Sequence, residues 1–336
     1  MPTLNMATAM ELYQPSGMKG RMVKRLFPFL HWLSPVRKLL QSETLHCSLR
    51  NDLYKLLCQL FEVDKLEFSI FGGTPCTHQK ITIQLSRGKH ILGYCKVSDN
   101  AEISSLFYKE KSTLDALEKK GVFHIPQGLY CGLLQDGMSV FVQSTIKTSQ
   151  SRVVHSWTNL QEQFLSDLCD KTKQNLVFEN TDYYQSLIDL KQHLNWLPKN
   201  VDQDIVDTVI EQVLNGYKEQ EVAFSAYHGD FTPWNMFLES EQLFVFDWEY
   251  AQMTYPPYLD YFHFFTQTAI FEKHWNEKQI IEAYSLLPKN KQINDKQYCY
   301  YLLDIISRFT LRENGKFQGD IAQCMTIWTK LLIFLR

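Results

Sequence analysis

Between residues 68 and 97 apolar and polar positions alternate in short bursts. FSIFGG (68–73), KITIQLS (80–86) and HILGYCKV (90–97) are rich in β-branched and aromatic side chains and are separated by turn residues, with SRGK at 86–89 forming a hairpin tip. The period then lengthens to three and four in SSLFYKEKSTLDALEKKG, where Leu106, Leu114 and Leu117 share a side and Gly121 marks the stop. Alternation returns in QGLYCGLLQ (127–135) and MSVFVQST (138–145), which flank the turn Asp136–Gly137. The expected order is three strands, a helix and two strands. Ahead of them a helix is expected from Ser42, its N-cap, through Leu45, Leu49, Leu53, Leu56, Leu57 and Leu60.

Beyond about residue 150 the pattern is almost wholly helical. TNLQEQFLSDLCDKT, DYYQSLIDLKQHLNWL and DQDIVDTVIEQVLNGY each carry an apolar stripe, and further helical segments run to the C-terminal DIAQCMTIWTKLLIFLR. Only AFSAYHGD and QLFVFDW read as strands there. The pattern predicts an α+β chain with a small β-rich N-lobe (residues 42–147, with its leading helix) and a larger, mostly helical C-lobe (148–336). Residues 1–41 form an arm whose Pro2, Pro15, Gly17, Gly20, Pro28 and Pro35 leave no room for a long helix.

Composition narrows the function. The chain has 336 residues, 45% of them apolar and 21% charged, with a formal net charge of −3. That is an ordinary globular balance, and it lacks the concentrated basic face of a nucleic-acid binder. The 8 cysteines form neither CxxC pairs nor Cys/His clusters at metal spacing, which fits reduced thiols in a cytoplasmic protein. No apolar run approaches the ~20 residues that span a bilayer. Residues 21–40, basic at both ends and carrying Phe and Trp, offer two readings. They suit peripheral contact with the inner face of a membrane, or an arm packed on the folded body.

Candidate chemistry gathers in HGDFTPWNMF (228–237) and FDWEYA (246–251). Carboxylate and amide oxygens are hard ligands suited to Mg²⁺. Asn235 and Asp247 would hold such an ion, leaving Asp230 to take a proton from an attacking hydroxyl.

H-G-D-x-x-x-x-N followed by an apolar strand and D-W-E resembles the aminoglycoside phosphotransferase and choline kinase family, small-molecule relatives of protein kinases. LDYFHFF (259–265) resembles the stretch that follows in choline kinases. The resemblance implies a bilobal protein-kinase-like fold, ATP and Mg²⁺ as cofactors, Asp230 as catalytic base, and Asn235 and Asp247 as metal ligands. It implies that His228 props the loop and that Asp260 braces its backbone. It also implies a strand lysine holding the α- and β-phosphates, Lys96, paired with a helix glutamate. Glu110 is the first candidate for that glutamate, Glu102 and Glu118 the alternatives. FGGTPCTHQK occupies the place of a phosphate-covering turn, where the backbone of Gly72 and Gly73 would approach phosphate oxygens. Backbone atoms of Gln143 and Thr145 would meet the adenine. Glu249 would either approach a second metal or orient the substrate.

The acceptor implied is a small molecule bearing a hydroxyl: an amino alcohol such as choline, an aminoglycoside, or a sugar or glycan. Residues 158–222 hold twelve carboxylates against five lysines, which leans toward a cation. The alternative is a kinase-like protein that binds nucleotide or a partner without catalysis. A complete set of Lys96, Asp230, Asn235 and Asp247 favours the enzyme.

Overall fold

The computed structural model describes residues 5–13, 18–39, 47–72 and 80–336. In chain order these hold α1 (Met6–Ala9), α2 (Met18–Leu30), α3 (Ser34–Leu39), α4 (Asn51–Leu60), β1 (Glu67–Phe71), β2 (Ile81–Arg87), β3 (His90–Ser98), α5 (Ala101–Lys119), β4 (Gly128–Leu133) and β5 (Ser139–Ser144). There follow β6 (Arg152–Val153), α6 (Asn159–Thr172), β7 (Gln174–Val177), α7 (Asp182–Gln192), α8 (Gln203–Tyr217), β8 (Glu221–Tyr227), β9 (Met236–Glu239), β10 (Gln242–Val245) and β11 (Gln252–Tyr255). Helices α9 (Leu259–Phe271), α10 (Glu277–Ser285), α11 (Asp295–Arg312) and α12 (Gly319–Leu335) complete the chain. The chain divides into two compact units. One draws on Met1–Lys119, Phe123–Val154 and Met236–Glu249, the other on Lys120–Val122, His155–Asn235 and Tyr250–Arg336.

In the first unit an antiparallel sheet runs β1-β2-β3-β5-β4. Strand alternation gives it two faces. Cys95, Val97, Val140 and Val142 pack with Leu53 and Leu57 of α4 in one apolar cluster. Lys96 falls between Cys95 and Val97 and so points to the other face, paired in register with Thr82 and Phe141. The buried residues of α5 are Ile103, Phe107, Glu110, Thr113, Leu114 and Leu117, at helical spacing, so Glu110 is the one charged member of the buried face. Leu106, expected on that face, is only half-buried. A second small sheet, β10-β9-β6, belongs to the same unit. Its β9–β10 hairpin turns on Ser240 and Glu241, both at positive φ, as a tight two-residue hairpin requires.

In the second unit α11 is the central helix. Tyr298 through Ser307 are all buried, as expected of a helix surrounded by its neighbours. Helices α7, α9 and α12 pack on it, and the sheet β11-β8-β7 carries β8 up to His228.

Three local expectations need correction. The proline-rich arm does form a 13-residue helix, α2, because Pro28 falls only two residues before its end and Gly20 in its first turn. Pro35 then falls in the first turn of α3, where a missing N–H costs nothing. Helix α4 begins at Asn51; Ser42 and Leu45 lie outside the described residues, and Leu49 precedes the helix. The second half also holds β6, β7, β9 and β11, which are too short, at two to four residues, to show a period. Residues 5–13 do pack on the body: Ala9 and Met10 are buried, and Gln84 donates from its Nε2 to the Thr8 carbonyl at 2.7 Å.

Candidate active site

Two clusters of ionisable groups emerge, one in each unit. The first forms where β3, α5 and the residues after β10 meet. The Lys96 ammonium donates to both oxygens of Glu110, at 2.9 and 2.7 Å, and to Asp247 Oδ1 at 2.6 Å. Lys96 is 5% exposed and Glu110 not at all. Burial pulls the lysine's pKa down, but Asp247 and Glu110 more than reverse this and hold it above its ordinary value. The amide of Trp248, at 3.3 Å, also donates to Glu110. Asp247 sits at φ +67°, a conformation that aspartate tolerates better than most side chains. A second ammonium, Lys80, bonds Glu249 and stands 3.5 Å from Asp247.

Glu110, Asp247 and Glu249 each offer an oxygen within 4.8 Å of the other two. This is a hard, anionic donor set, and two lysines already supply the positive charge it attracts. A divalent ion such as Mg²⁺ fits it. Both oxygens of Glu110 are taken by Lys96, which leaves Asp247 and Glu249 as the pair suited to a metal.

The second cluster is built on the loop after β8. Asp260, in the first turn of α9, accepts from the backbone N–H of His228 at 2.8 Å and of Gly229 at 3.1 Å. Burial pushes its carboxyl up to about 7 despite these two donors. Gly229 takes φ +80°, and a Cβ there would lie 2.7 Å from the Tyr250 carbonyl oxygen, so the turn admits only glycine. Its carbonyl accepts from Arg308 Nη1 at 2.6 Å. His228 is fully buried, and its Nδ1 accepts from the Asp230 amide at 3.1 Å, fixing the ring proton on Nε2.

Asp230 is held at both oxygens. Asn235 Nδ2 donates to Oδ2 at 2.7 Å and also to the Asp230 carbonyl at 2.9 Å, while His263 Nε2 meets Oδ1 at 3.1 Å. Burial lowers the pKa of His263, so the ring is neutral and Nε2–H is the donor to the carboxylate. The Asn235 amide nitrogen is thus committed to Asp230, and its carbonyl oxygen is the atom that could serve a metal.

The residues expected from the sequence fall into these clusters. Lys96, Glu110, Asp247 and Glu249 gather in the first unit; His228, Asp230, Asn235 and Asp260 gather in the second. Of the alternatives to Glu110, Glu102 lies exposed in the first turn of α5, and Glu118 accepts from Gln127 Nε2. Gln143 stands within β5 opposite Tyr94 and Gly128, its side chain buried, and Thr145 follows the strand end. Gly72 ends the described part of the phosphate-turn candidate, and Gly73 lies outside the described residues.

Sequence reading missed Lys80, His263 and Arg308. Lys80 starts a strand and His263 sits in an aromatic helix run, positions where each type is ordinarily structural. Only the quoted LDYFHFF stretch hinted at His263.

Some of the carboxylates in 158–222 are engaged by the fold. Lys191 binds both Asp207 and Glu211 at 2.6 Å, Asp182 accepts from the amides of Met253 and Thr254, and Asp202 caps α8.

A model of the phosphotransferase enzyme family matches residues 154–280. No curated protein sequence matches the chain. Among solved structures it is similar to the choline kinase LicA from Streptococcus pneumoniae, with a TM-score of 0.51 and 15% identity over 85% of this chain and 99% of that one. LicA in complex with AMP gives a TM-score of 0.50 at 15% identity, over 85% and 100% of the two chains. A thermostable mutant of aminoglycoside phosphotransferase APH(4)-Ia, in ternary complex with AMP-PNP and hygromycin B, gives a TM-score of 0.58 at 12% identity, over 85% and 99%. The stretch matched by the family model contains Asp230, Asn235, Asp247 and Asp260, and the chain has the protein-kinase-like fold of small-molecule kinases.

Proposed function

We propose that this chain is an ATP- and Mg²⁺-dependent phosphotransferase that moves the γ-phosphoryl group to a hydroxyl of a small molecule. The observation that carries the reading is Asp230: a carboxylate gripped at both oxygens by N–H donors, on a loop whose backbone is held by a buried carboxylate. A general base must be aimed before it can act, and this one is.

In the proposed reaction the acceptor oxygen attacks the γ-phosphorus as its proton passes to Asp230. The bond from phosphorus to the bridging oxygen breaks, and ADP leaves with that electron pair. His263 and Asn235 keep the carboxylate oriented throughout. Lys96, held by Glu110, presents its ammonium to the α- and β-phosphate oxygens. Asp247 and Asn235 are the metal ligands we assign, with Glu249 beside Asp247; Mg²⁺, when bound, neutralises phosphate charge.

The acceptor is an amino alcohol such as choline, an aminoglycoside, or a sugar or glycan. The engagement of Asp182, Asp202, Asp207 and Glu211 in caps and ion pairs reduces the weight that local charge gives to the cationic members.

ADP release measured with MgATP across these three acceptor classes, with Asp230→Asn alongside, tests the reading. Turnover with at least one class is expected, and Asp230→Asn should lose about 10²–10⁴ in kcat while still binding nucleotide. Nucleotide binding without turnover on any acceptor, unchanged in Asp230→Asn, would instead support a non-catalytic kinase-like binder.

A further inference from the structure

Helices α2 and α3 present a face that the other described residues leave exposed. Met22, Leu26 and Phe29, spaced four and three apart, form one stripe of α2, and Trp32 and Leu39 continue it. Phe29 is 70% exposed, Trp32 68% and Leu39 82%, a degree of exposure that water alone would disfavour. Lys24 lies on the inward side, where it pairs with Glu11 at 3.0 Å.

Two independent features say what covers this face. The first is charge. Residues 18–39 hold six cations, Lys19, Arg21, Lys24, Arg25, Arg37 and Lys38, and no Asp or Glu, in a chain whose net charge is −3. The second is the end of α2. The last four carbonyls of a helix have no partner within it and are met by side chains, by a further turn of chain or by water. Here all four accept from the chain itself: Phe27 O from the His31 amide, Pro28 O from the His31 ring, Phe29 O from Trp32 Nε1 at 2.9 Å, and Leu30 O from the Leu33 amide. A helix end that needs no water, carrying exposed Phe and Trp, is suited to a layer where water is scarce.

We propose that α2 and α3 form an interfacial anchor that lies on an anionic lipid bilayer. Phe29, Trp32 and Leu39 enter the boundary between headgroups and acyl chains, while Arg25 and Lys38 meet the lipid phosphates. A nucleic acid would meet the cations but leave the apolar stripe in water. A second copy of the chain would bring six more cations against these six. The anchor is independent of the phosphoryl-transfer reading, since no residue of the two acidic clusters takes part.

The test is co-sedimentation of the full chain with vesicles of phosphatidylcholine alone and with about 30 mol% phosphatidylglycerol. Binding is expected to the anionic vesicles only, and to weaken as salt rises from about 0.1 to about 0.5 M. Phe29→Ser/Trp32→Ser and Arg25→Glu/Lys38→Glu should each lose about tenfold or more of the binding while keeping the wild-type circular-dichroism melt. These side chains are exposed, so both variants fold. Absence of wild-type binding to anionic vesicles, or equal binding by both variants, overturns the proposal. So does a dimer, seen by sedimentation velocity without lipid, that Phe29→Ser/Trp32→Ser dissociates while vesicles bind nothing.

Discussion

Lys96 and Lys80 share Asp247 as a partner, but burial separates their roles. Lys96 is enclosed with Glu110, and removing one member of a buried ion pair leaves the other charged and unsolvated. Lys96→Met should therefore lower stability by about 3–5 kcal/mol in urea unfolding; a loss no larger than that of a surface lysine would mean Glu110 finds another partner. The Lys80 side chain keeps 20% of its exposure and leans on Asp247 and Glu249, the pair suited to a metal. A divalent ion entering there must displace this ammonium. In the nucleotide-free chain, Lys80→Met is expected to tighten Mg²⁺ or Mn²⁺ binding roughly tenfold by isothermal titration, the ~1.5 kcal/mol of one charge-assisted hydrogen bond. Unchanged or weaker binding would show that Lys80 does not compete with the ion.

At the scale of elements, the loop after β8 depends on the first turn of α9. Asp260 ionises near pH 7 in the folded chain against an ordinary value of 3.8. Between about pH 4 and pH 7 the folded chain thus holds a proton that the unfolded chain has released, so this group makes stability fall as pH rises through that window. Asp260→Asn cannot titrate. Its amide also brings a donor toward backbone N–H donors, which costs about 1–3 kcal/mol through an unmade hydrogen bond. Urea midpoints at about pH 5 and about pH 8 should show the wild type losing more stability than Asp260→Asn over that range. A constant difference between the two proteins would place Asp260's ionisation outside the window.

For the whole molecule, MgATP that binds only the folded chain should raise its melting midpoint, since ligand at 100 times its Kd adds about 2.7 kcal/mol. EDTA should remove most of the gain, and Asp247→Asn should blunt it. A midpoint indifferent to MgATP would count against the nucleotide reading. No helix among the described residues is long and apolar enough to cross a membrane.

The five-stranded sheet, α5 and the C-terminal helices were legible because each is long enough for its period to show. Asp230, Asn235 and Asp247 could be singled out because a motif fixes their spacing, Lys96 because it ends an apolar strand, and Glu110 because it leads Leu114 and Leu117 on one helix stripe. The helix of the N-terminal arm was not, because prolines mark where a helix ends more reliably than where it cannot form. The sequence by itself determined which residue types could carry the chemistry and the order of the main elements, since both depend on local spacing. Only the tertiary structure decided that Lys80 joins Glu249 across 169 positions, that His263 reaches Asp230, and that Arg308 holds Gly229. These contacts close over long stretches of chain, and local periodicity carries no record of them.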